Sequence, residues 1–77
     1  MYHITLTENG RFCTHVGGEI NTLPEAIKQL EATAKTLGAT ELPEIYGYKF
    51  DRAGTTCALL VTDRWERPIR QEKNEED

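Results

Sequence analysis

The chain has 77 residues, a net charge of −4 and 38% hydrophobic residues, enough for one small domain with a thin core. No apolar run approaches the ~20 residues of a membrane-spanning helix, so a membrane partner is excluded from the expectations. Residues 71–77 hold Glu72, Glu75, Glu76 and Asp77 against Lys73, or −3 of the total, so the remainder is close to neutral. A near-neutral body offers no broad basic surface for phosphate.

Residues 2–7, YHITLT, alternate Tyr2, Ile4 and Leu6 against His3, Thr5 and Thr7, the pattern of a half-buried strand. Residues 11–16, RFCTHV, alternate as well, with Phe12, Thr14 and Val16 opposed to Arg11, Cys13 and His15. A two-residue Asn9-Gly10 turn would put Phe12 and Val16 on the face opposite Ile4 and Leu6. A three-residue loop, Glu8-Asn9-Gly10, pairs Leu6 with Phe12, Ile4 with Thr14 and Tyr2 with Val16, gathering the apolar residues on one side. A one-residue slip turns every side chain over, so the three-residue loop is the expectation.

Gly17 to Asn21 reads as a flexible link into the clearest element, TLPEAIKQLEATAKTLG. Leu23, Ile27, Leu30, Ala34 and Leu37 recur at steps of three and four, so the spacing predicts a helix over 23–37. Thr22 and Glu25 form a capping-box pair, Pro24 lies in the first turn, and Gly38 can close the helix in a left-handed conformation. Glu31 and Lys35 are spaced for a helical ion pair. Ala39 to Glu44 reads as a loop containing Pro43.

Residues 45–51, IYGYKFD, set Tyr46, Tyr48 and Phe50 against Gly47, Lys49 and Asp51. These aromatics are expected to back the helix; facing out, they would resemble a base-stacking platform. After an Arg52-Ala53-Gly54 turn, TTCALLVT (55–62) is continuously apolar from Cys57 to Val61, as in a central strand. The expected fold is α+β: two layers in ββαββ order, a four-stranded mainly antiparallel sheet with spatial order 2-1-4-3 and one helix on one face. The expected domain spans 1–66, followed by a flexible acidic tail, 67–77.

The face the helix leaves free carries His3, Thr5, Cys13 and His15, with His3 expected opposite His15 and Thr5 opposite Cys13. Two imidazoles and a thiol are a transition-metal set, but the same residues are ordinary on a solvated strand and no fourth ligand is evident; no metal is expected. Cys13 and Cys57 are expected as reduced thiols in a cytoplasmic setting, the host cytoplasm if the chain is phage-encoded. A Cys–His nucleophile would need a pocket and an oxyanion donor, and Gly17-Gly18 lacks the rest of a phosphate-binding fingerprint. No enzyme activity and no cofactor are expected. Near the C-terminus, Arg64, Arg67 and Arg70 flank Trp65 in RWERPIR, residue types favoured as interface anchors.

The layout of hairpin YHITLTENGRFCTHV, helix TLPEAIKQLEATAKTL and hairpin IYGYKFDRAGTTCALLVT resembles small accessory proteins of phages and mobile elements, anti-CRISPR proteins among them. The resemblance covers residues 1–65 in element order alone. It implies a phage-borne inhibitor of a host defence complex. The first half is also similar to the hairpin-plus-helix of HicB-type antitoxins, but that family's Pro-Asp-Leu-Pro-Gly-Cys segment is absent. The leading expectation is a non-enzymatic protein that binds another protein through His3, Thr5, Cys13, His15, Arg64, Trp65, Arg67 and Arg70. The alternative is a nucleic-acid-binding regulator using the open sheet face or Arg64, Arg67 and Arg70. A third reading, self-association through a sheet edge, predicts a homodimer.

Overall fold

The computed structural model describes residues 1–71. Helix α1 spans Leu23–Leu37, as the periodicity requires. Thr22 is extended and its Oγ1 accepts the Glu25 N–H at 3.4 Å. Glu25 does not return the bond, and Glu31 and Lys35 do not pair, among the described residues. At the far end Gly38 adopts φ 67°, and the Gly38 and Ala39 N–H groups close onto the carbonyls of Lys35 and Ala34. The buried helical stripe is narrow, consisting of Ala26, Leu30 and Ala34. Leu37, expected on it, is 46% exposed.

The strands are β1 (Tyr2–Glu8), β2 (Arg11–Ile20), β3 (Thr40–Glu41), β4 (Gly47–Arg52) and β5 (Thr55–Thr62). They form one antiparallel sheet in the order β2-β1-β5-β4-β3. The four long strands therefore stand in the expected order, but the sheet has five strands, because Thr40 and Glu41 pair with Lys49 and Tyr48 in a stretch expected to be loop. The α+β class holds, with Ala26 and Leu30 packed onto Ile4, Leu6, Ile20, Cys57, Leu59 and Val61. Tyr46, Tyr48 and Phe50 flank this core, on the helix side.

The first hairpin corrects the expected loop. Asn9 and Gly10 both have positive φ, 53° and 80°, and Glu8 pairs with Arg11, so the turn has two residues. The apolar mismatch that this turn would create is removed further along. A register shift between Leu6 and Thr7 leaves Cys13 as the extra residue of a β-bulge. Beyond it Leu6 faces Thr14, Thr5 faces His15 and Ile4 faces Val16. Phe12 stays opposite Thr7 and so lies on the outer face, away from the helix.

A second irregularity follows at Gly17, whose φ is 79°, after which Tyr2 pairs with Ile20. The expected link is thus strand, ending in a buried Ile20 that joins the core.

The end of the chain departs from the expected boundary too. Ile69 N–H donates to Val61 O, Tyr46 N–H donates to Ile69 O, and Gln71 N–H donates to Glu44 O, at 3.0–3.1 Å. The Gln71 side-chain amide also donates to the carbonyls of Leu42 and Ile45, both at 2.9 Å. Residues 67–71, expected in a flexible tail, include this segment stitched to the sheet. The rest of that tail, 72–77, lies outside the described residues. Among the described residues no helix is long and apolar enough to cross a membrane.

Candidate functional site

Alternation along β1, β4 and β5 sends His3, Thr5, Thr7, Lys49, Ala58, Leu60 and Thr62 to the face away from α1. β2 adds His15 opposite Thr5 and Phe12 opposite Thr7. The expected pairings of His3 with His15 and Thr5 with Cys13 are therefore both replaced, because the bulge slips β2 by one position. The two imidazoles still meet, now diagonally: their planes are 9° apart and their centroids 4.2 Å apart. Phe12 and His15 form a T-shaped pair with centroids 5.3 Å apart. These three rings make a continuous aromatic strip across β1 and β2, and its outer member Phe12 is 59% exposed.

Thr5 is expected on an open surface but is buried. Its hydroxyl lies 2.8 Å from that of Thr62, also buried, so each polar group has a partner where water does not reach. His3 and His15 cover one side of this pair's neighbourhood. The chain itself covers more, since the loop after β5 turns back toward His15. The outer face is closed at this end and open toward Phe12, Lys49 and Ala58.

That loop, residues 63–67, is built around Asp63. Its Oδ1 accepts the backbone N–H groups of Trp65 (2.8 Å) and Arg67 (3.0 Å), and its Oδ2 accepts Arg67 Nε–H at 3.1 Å. The Arg67 backbone N–H, more than any other group, holds the Asp63 carboxyl below its ordinary value, with help from Trp65 N–H and the Arg67 guanidinium. Glu66 has φ 67°, an uncommon conformation for a residue with a Cβ, and its carboxylate reaches His15 Nε2 at 3.0 Å. Glu66 thus joins the two groups of residues that the sequence kept separate, the histidine strand and the arginine–tryptophan loop.

Above this latch the indole of Trp65 is 64% exposed. The guanidinium carbons of Arg64 and Arg67 lie over it, 4.8 and 5.0 Å from the ring centroid. Arg70, expected with them, sits opposite Ile45 and does not stack on the indole. Cys13 is exposed at the bulge. Among the described residues no three His, Cys, Asp or Glu side chains are grouped to hold a metal ion. Stacked imidazoles direct their in-plane nitrogens along parallel planes rather than toward a shared point.

The structure therefore brings together His3, Thr5, His15, Arg64, Trp65 and Arg67, and leaves Cys13 and Arg70 outside the cluster. Phe12, Asp63 and Glu66 join it unanticipated. Asp63 could have been read from DRWER, where an aspartate precedes an arginine by four in a turn-forming context. Phe12 could not, because its direction depends on the bulge. No family model, curated protein or solved structure matches the chain.

Proposed function

We propose that this chain is a non-enzymatic binding protein, and that its contact surface runs from Phe12 across the stacked histidines to Arg64, Trp65 and Arg67. The observation that carries this reading is Trp65: a large aromatic side chain 64% exposed on a loop held by three hydrogen bonds to Asp63 and by the Glu66–His15 contact. Tryptophan and arginine are the residue types that most often anchor interfaces, and a loop already in its bound shape loses little freedom on docking. In the specific form that the layout resemblance implies, the partner is a subunit of a host defence complex and docking inhibits it.

The test is site-specific photo-crosslinking in cells. A benzophenone side chain at position 12 should capture a discrete protein, and W65A in the same chain should abolish that capture. The same probe at Gln29, an exposed helix position, should not capture it. Equal capture at positions 12 and 29, or capture indifferent to W65A, rejects the reading.

The second reading is a nucleic-acid-binding regulator. It is favoured by Phe12, an exposed aromatic on a sheet face next to His15, which suits base stacking. Binding of oligonucleotides that weakens steeply with salt would support it.

A further inference from the structure

We infer that the Arg64–Trp65–Arg67 group takes carboxylate side chains from an acidic protein segment. This rests on the contact reading above and names the chemistry of the partner. The hydrogen-bonding character of the group points there. The two carboxylates of the loop are committed: Asp63 to two backbone N–H groups and Arg67 Nε, Glu66 to His15. What the loop offers outward is donors. Arg64 has no ion-pair or hydrogen-bond partner among the described residues, although its guanidinium carbon is fixed 4.8 Å over the indole. Arg67 is engaged through Nε, leaving its terminal nitrogens. A guanidinium stacked on a ring keeps its planar fork of N–H groups at the ring's margin, and that fork matches a carboxylate in two parallel hydrogen bonds.

Phosphate is also an acceptor without donors, and the charge distribution argues against it. Glu66 and Asp63 lie within the loop and Asp51 on the outer sheet face, and without residues 71–77 the chain is close to neutral rather than basic. A nucleic-acid backbone brings several charges along a line and would meet these acids. One or two carboxylates projecting from a protein segment meet only the arginines. The adjoining surface agrees: the exposed Phe12 beside His15 can receive an apolar side chain next to the acidic one.

Trp65 is the only tryptophan, so its emission reports on this spot alone. The full chain is titrated with a capped tetrapeptide of alternating glutamate and alanine, its glutamine counterpart, and a single-stranded oligothymidylate. The glutamate peptide should give a saturable change in Trp65 emission and the glutamine peptide none. R64A should weaken the glutamate peptide about tenfold or more, the loss of a charge-assisted hydrogen bond. R64K, which keeps the charge without the fork, should weaken it nearly as much. Arg64 is exposed, so neither variant removes core packing.

Four results overturn the proposal: no response to the glutamate peptide up to about 1 mM; an R64A titration equal to wild type; tighter binding of oligothymidylate than of the glutamate peptide; or an emission change on converting Glu72, Glu75, Glu76 and Asp77 to amides as large as that caused by the peptide, which would make the chain's own terminus the occupant. If crosslinking at position 12 still captures a W65A-sensitive protein while the peptide fails, the acidic chemistry falls and the contact reading stands.

Discussion

Glu66 binds His15 across 51 residues of sequence, Oε2 to Nε2 at 3.0 Å, and ties the loop that displays Trp65 to the second strand of the sheet. Both side chains are partly solvent-exposed, so the contact contributes under about 1 kcal/mol to global stability. Its effect is local. E66A removes only the exposed end of the contact and should leave the unfolding midpoint nearly unchanged while making Trp65 more accessible to acrylamide quenching and lowering its fluorescence anisotropy. A large fall in midpoint with unchanged quenching would contradict the latch.

Asp63 makes stability depend on acid. Its folded-state value is lowered, so its contribution is complete above the ordinary 3.8 and is lost as pH falls through the lowered value. D63N keeps the shape without the charge. It should be less stable than wild type at neutral pH, and the gap should close on acidification below the ordinary value. Urea midpoints of both proteins across that range check the sign; a gap that widens on acidification rules it out.

The Thr5–Thr62 pair offers a cleaner energetic test. T5V leaves the buried Thr62 hydroxyl without its partner, at a cost of about 1–3 kcal/mol, and T62V does the same to Thr5. Removing both hydroxyls orphans neither. The double variant should therefore be more stable than the sum of the single losses implies, by about 1 kcal/mol or more. Strict additivity in a double-mutant cycle would mean that the two oxygens do not depend on each other.

Gly47 is required by crowding rather than by its backbone angle. A Cβ there would lie 2.7 Å from Leu60 Cδ2 and 2.9 Å from the Leu59 carbonyl oxygen. The first contact can relax by side-chain rotation, but the second is backbone. G47A should cost about 1–3 kcal/mol, as overpacking does, and L60A in the same chain should recover only part of it. Thermal unfolding of the two variants decides this.

The most legible part of the chain was the helix, because Leu23, Ile27 and Leu30 repeat at the helical period and Thr22 and Gly38 mark its ends. The continuously apolar Cys57 to Val61 marked a central strand, and pairing the first and last long strands at the centre gave the observed order of the four. The first hairpin was only half legible. Its sequence showed that the apolar sets of the two strands disagree under an Asn9-Gly10 turn. Either a longer loop or an extra residue resolves that conflict, and a bulge at Cys13 has no signature of its own. The choice decides which side Phe12 faces, and with it the composition of the candidate surface. Gly17 and Gly18 read as part of a flexible link, yet the left-handed Gly17 marks the irregularity across which β2 continues to Ile20. Glu66 was hidden for another reason: its partner lies on a distant strand, and no local pattern links them.

The two kinks in β2 also bear on how copies of this protein coexist. Growth of a sheet from molecule to molecule needs a straight border with evenly spaced amide groups, and here one border is bent at Cys13 and again at Gly17 while the other steps from a two-residue strand, β3, to the end of β4. The chain is thereby discouraged from zippering into fibres, even though much of one flat side stays uncovered.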